Sequence, residues 1–193
     1  MTSNAAVSPD FVAALNSLRE LKPHSNVTVS EIPAPRNMAP FAAALSAETT
    51  HTDLAGRPLG TGRLVILHDP RGQDGWNGEF RIISLVSADI DHDLGADPLA
   101  GEVAWSWLRE SLDSNHAEHH DLVGSVTREL SDSFGGINLT SYAAAIDVRA
   151  SWTPQGTDMI PHCTAWIHMI LQAAGLDPQE GVVSLSSRRY AQG

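Results

Sequence analysis

From Tyr142 to Trp152 the chain alternates without interruption: Tyr142, Ala144, Ile146, Val148, Ala150 and Trp152 fall on one face, Ala143, Ala145, Asp147, Arg149 and Ser151 on the other. A period of two sustained over this length belongs to an extended strand, since a helix would scatter the same residues around its axis. One face is apolar and the other carries two opposite charges. The strand is therefore half-buried, in an antiparallel sheet packed against a core on that apolar side.

The rest of the chain supplies its neighbours. Strand-like runs occur at 27–32, 41–50, 62–68, 80–90 and 121–132, and "DLAGRPLG" between the second and third has hairpin character. "RLVILH" is apolar on both faces, which places it inside the sheet rather than at an edge. Pro33, Pro35 and Pro40 stiffen the connection after the first run and leave no room for a helix. Three helices are expected. Ser8 and Pro9 make a start signal, hydroxyl at the cap and proline in the first turn, and Phe11, Leu15 and Leu18 share a face. A second helix starts near Pro98 with Asp97 as its cap, and a third runs from about Asp158 to Ala174, where Gly175 stops it. The stripe of this last helix is Ile160, Cys163, Ile167, Ile170, Leu171 and Ala174.

The order is thus helix, four strands, helix, two strands, helix. No strand alternates with a crossover helix, so a doubly wound parallel sheet gives way to an α+β fold, a mostly antiparallel sheet packed with three helices. With 193 residues the chain has room for one domain with a real core and is short for two. That domain is read as residues 8–175, with flexible tails at 1–7 and 176–193.

The second helix is the unusual one. At about 100° per residue, Leu99, Val103, Ala104, Trp105, Trp107, Leu108 and Leu112 cover an arc of roughly 240°, wider than one sheet face needs. Either it is sandwiched, or the edge bearing Trp105 is offered to something else, such as a second subunit.

Charge and motifs exclude several functions. The formal net charge is −11, and Lys22 is the only lysine among 12 cations, so direct binding of nucleic acid or an anionic membrane is not expected. A single cysteine, Cys163, rules out an internal disulfide and a zinc site built on several thiolates, and with no readable export signal or membrane span the cytoplasm is the expected compartment.

"LHDPRGQDGWNGEF" (67–80) invites a phosphate-loop reading, but Glu79 follows Gly78 where a Walker loop needs lysine, and a strand follows where a dinucleotide site needs a helix. Its plain reading is a connection rich in turn dipeptides, with Trp76 folded back. In the functional reading His68 and Asp69 act as base and orienter while Arg71 holds an anion.

Asp89, Asp91 and Asp93 have EF-hand spacing, yet Leu94 and Ala100 stand where glycine and the bidentate glutamate belong. "NHAEHH" lacks both zincin signatures, His162 and His168 lie about 120° apart on their helix, and no G-x-S-x-G occurs. No metal and no cofactor is assigned. Trp76, Trp105 and Trp152 sit at a loop, an arc edge and a strand end, positions from which an amphipathic ring anchors a partner.

Two functions are weighed. In the first the chain is a non-catalytic interaction or regulatory module, meeting a protein partner or a second copy of itself through a tryptophan-bearing surface. In the second it is an enzyme or small-ligand binder of unrecognised type, with its site by the 68–79 loop, where Asp69, Arg71, Trp76, Arg149 and Trp152 meet.

The segments "LVILHDPRGQDGWNGEFRIISLV", "DPLAGEVAWSWLRESL", "VTRELSDSFGG" and "DVRASWTPQG" together resemble the actinobacterial domain-of-unknown-function family number 3000, from the first helix to Gly175. The resemblance implies a single-domain cytosolic protein and carries over no activity, substrate or catalytic residue. The element order is also similar to the type III secretion chaperone-like fold, an analogy of fold that licenses no function.

Overall fold

The computed structural model describes residues 8–134 and 141–180. Its elements run α1 (Pro9–Leu18), β1 (Val27–Ile32), β2 (Phe41–Thr49), β3 (Gly60–His68), β4 (Phe80–Ile90), α2 (His92–Ala96), α3 (Ala100–Ser114), β5 (His119–Ser133), β6 (Ser141–Pro154) and α4 (Ile160–Ala173). The six strands form one antiparallel sheet in the order β1-β2-β3-β4-β6-β5. The α+β architecture is as the patterning requires, and β3 is an interior strand, as "RLVILH" implied.

The alternation of β6 resolves as expected. Ala144, Ile146, Val148, Ala150 and Trp152 are buried on the helix side, and exposed Arg149 lies on the outer side. Val27 and Val29 of β1 and Ile82, Val86 and Ala88 of β4 join the inner layer.

The helix α4 lies at the centre of this layer. It buries His162, Cys163, Ala165, Trp166, Ile167, Met169, Ile170, Leu171 and Ala173, far more than the narrow stripe read from its periodicity. It contacts β2, β3 and β4 below it and α1 and α3 at its flanks, so nearly its whole circumference is core. Strand glycines make room for it: a Cβ at Gly62 would fall 2.5 Å from Ile170 Cδ1 and 2.8 Å from Trp166 Nε1. The indole nitrogen of Trp166 is buried without a hydrogen-bond partner among the described residues, at a cost of about 1–3 kcal/mol.

Four sequence expectations change. Ser8 stands at the α1 N-cap, but its hydroxyl does not cap the helix; it bonds His68 Nε2 at 2.8 Å instead. The aspartate-rich stretch contains α2, which Asp91 caps by accepting from the Asp93 amide at 2.8 Å. Asp97 accepts from the Leu99 amide at 2.8 Å, one turn-like bond ahead of α3, which starts at Ala100. Of the expected tails, 1–7 and 181–193 lie outside the described residues, while 176–180 make contacts with the body: Leu176 packs on the core, His24 Nε2 meets the Pro178 carbonyl at 3.2 Å and Asn26 donates to the Glu180 carbonyl at 3.1 Å. Among the described residues no helix is long and apolar enough to cross a membrane.

Candidate functional site

The loop from Asp69 to Glu79 is a strapped hairpin connection. Asp69 and Glu79 close it through a backbone bond of 2.9 Å, and Gly72, Gly75 and Asn77 turn it with positive φ. Gln73 donates to the Met38 carbonyl at 3.2 Å, Asn77 donates to Asp121 Oδ2 at 2.7 Å, and the Trp76 carbonyl accepts from the Thr153 hydroxyl. Each of these bonds holds the loop to the body of the protein.

Within it, Asp69 is buried and works for the turn. Its carboxylate accepts the Arg71 amide at 3.0 Å, and that bond is the largest influence holding its pKa below the ordinary range. Arg71 reaches Asp69 at 3.7 Å with its own side chain 87% exposed, a contact of little energetic weight.

His68 does not join them. Its ring lies in an aromatic nest, stacked on Phe80 at 4.2 Å with Phe11 and Phe41 beside it. Nδ1 faces the Glu79 carbonyl at 3.1 Å; a carbonyl only accepts, so in the neutral ring Nδ1 carries the proton and Nε2 accepts from Ser8. The pair has the order of a nucleophile and its base, but both are buried and the hydroxyl pins α1 to the sheet.

Trp152 is likewise interior. It is fully buried at the inner face, donating from Nε1 to His162 Nδ1 at 3.1 Å. Burial holds the His162 pKa down at about 4, with repulsion from His119 as a lesser cause. Arg149, three residues earlier, points to the opposite face. The expected meeting of Arg149 and Trp152 with Asp69, Arg71 and Trp76 therefore does not occur, because an odd spacing on a strand separates side chains across the sheet. Of those five, the loop brings Asp69 and Arg71 together and leaves Trp76 half-buried beside Thr153.

Trp105 is the exception among the predicted positions. Only Ala100, Ala104, Leu108, Ser111 and Leu112 of α3 are buried; Leu99 and Val103 are exposed, and Trp105 and Trp107 are half-buried. Hence the helix is not sandwiched, and the wide arc leaves apolar surface on its margins. The Trp105 ring lies over Gly124 of β5, where a Cβ would fall 2.7 Å from its Cζ3 and would also strike the Arg149 carbonyl. Beside the ring a groove of about 480 Å³ is lined by Glu102, Trp105, Ser106 and Arg109 of α3 and by Ser125 and Val126 of β5.

Gly124, Glu102 and Arg109 were not singled out from the sequence. The signals were present: a glycine inside a strand run marks close approach of another group, and opposite charges seven apart share one face of a helix. Of the candidate ion sites, His119 Nδ1 meets the Ala117 carbonyl at 2.7 Å and His120 meets Asp121 at 2.9 Å. Among the described residues no three His, Cys, Asp or Glu side chains are grouped to hold a metal ion.

Fold and groove define a class: a two-layer α+β domain whose open sheet edge is overlaid by one tryptophan. Within that class the chain belongs to the DUF3000 family, proteins of unknown function, whose family model matches residues 7–183. No curated protein and no solved structure matches it.

Proposed function

We propose that the protein is a non-catalytic interaction module whose docking surface is the seam between α3 and the edge strand β5. The observation that carries this is Trp105, held half-exposed over Gly124 beside a groove of about 480 Å³. A large ring that is already ordered loses little conformational freedom on binding, and such rings dominate interface energies. Half-buried Val126 of β5 lines the same groove. The acidic chain favours a protein over a nucleic acid as the occupant.

The test compares proteins that co-purify with the tagged wild-type chain, a second copy included, with those that co-purify with Trp105→Ala and Ser106→Arg. Both positions line the groove and lie outside the fully buried face of α3. Loss of the partner in both variants, with unchanged circular dichroism, is the expected result. A partner retained at wild-type level by both would overturn the reading.

A further inference from the structure

The two edges of the sheet are finished differently. β1 has six residues and runs directly into Pro33 and Pro35, which lack the amide that an added strand needs. β5 has 15 residues, among the described residues pairs only with β6, and contains neither lysine nor proline. From Val123 to Ser133 its pairing is regular. Such an edge is open to another strand.

We infer that the occupant of this edge is β5 of a second copy, paired antiparallel about a two-fold axis through Gly124; this rests on the interaction surface proposed above and names its partner. A two-fold interface must match itself. With the axis at Gly124, the glycine faces its own copy and Val126 comes opposite Leu122 of the other protomer, both half-buried apolar residues. The same axis, placed between Trp105, whose ring lies over Gly124, and Ser106, which lines the same groove, lays the two α3 helices antiparallel.

That arrangement has a charge consequence. Glu102 lies three residues before Trp105 and Arg109 three after Ser106; both line the same groove, and among the described residues neither forms an ion pair. Across the axis Glu102 of one protomer faces Arg109 of the other, twice. The two Trp105 rings meet over paired glycines, which explains why strand and helix approach so closely there. The β5 register is broken between His120 and Val123, so Val123–Ser125 pair regularly on both sides of the axis and the strand seam is about 10 Å long at about 3.4 Å per residue. The antiparallel α3 helices supply the rest of the contact, and the assembly is a dimer that dissociates on dilution.

The experiment is light scattering of the purified full chain from about 1 to 200 µM, with Glu102→Arg, Arg109→Glu and their equimolar mixture. Wild type is expected to be a dimer at the upper concentrations. Each single variant places like charges together twice and weakens dimerisation at least about tenfold. Their mixture restores both ion pairs as a heterodimer. Hydrogen exchange reports on the strand independently, through β5 amides slowed at high concentration and not at low. A wild-type chain monomeric throughout, or a dimer indifferent to both charge reversals, overturns the second copy as occupant. In either case partner loss by Trp105→Ala still decides the interaction surface, so the two readings fail separately.

Discussion

Two glycine–tryptophan contacts stand in this sheet, and they do opposite things. In the interior strand β3, Gly62 makes space for Trp166, which is fully buried with its indole nitrogen unpaired among the described residues. At the edge strand β5, Gly124 makes space for Trp105, which stays half-exposed. In both, a strand without a side chain lets a helix bring an indole down onto the backbone. What differs is what lies beyond the ring: α4 and the rest of the core in one case, a groove in the other. The same local device seals the protein at its centre and presents a surface at its margin.

The contrast can be tested from its largest effect downward. Trp166→Ala leaves a cavity under α4 and is expected to lower stability by about 3–5 kcal/mol, read by chemical denaturation. A smaller loss would mean that the centre is less sealed than the packing indicates.

A third indole sharpens the comparison, since Trp152 is buried as deeply but has a partner in His162. The His162 pKa is about 4 in the fold against an ordinary 6.5, so the unfolded chain takes up the proton more readily. Stability is full above pH 6.5 and falls as pH drops towards 4, by about 3 kcal/mol over that window. Denaturation midpoints of wild type and His162→Leu across the range check this, because the variant should lose that part of the slope.

Gly62→Ala overpacks the centre and should cost about 1–3 kcal/mol. Gly124→Ala should cost a similar amount, chiefly because its Cβ would strike the Arg149 carbonyl as well as the ring. Trp105→Ala is the smallest effect on folding, at about 1 kcal/mol, while removing the edge interaction; thermal melts beside the binding assay separate the two. If Trp105→Ala unfolded the protein as Trp166→Ala does, the distinction between centre and margin would collapse.

Much of this could be read from the residues, and each failure has a physical cause. The inner face of β6 was legible because alternation is local, and Trp152 lies in phase with Ala144 to Ala150. Placing it at a surface gave its position at the strand end more weight than its phase. The wide arc of α3 was legible too, although burial selected Ala104, Leu108, Ser111 and Leu112 and left Leu99 and Val103 outside. Partners distant in the chain were not legible: Ser8 with His68, Trp152 with His162, and the strand order that puts β6 between β4 and β5. The helix α2 escaped because five residues are too few to show a period.

The central place of α4 has a consequence for how the protein is made. Residues 160–173 follow every strand in the chain, so the ribosome exposes the whole sheet before the central helix of its covering exists. Until then Gly62, Leu64, Ile82, Val86 and Val148 face water. Synthesis at about 5–20 residues per second leaves that surface bare for seconds, long enough for capture by chaperones or by another nascent chain. The core of this domain therefore closes only once α4 has been made.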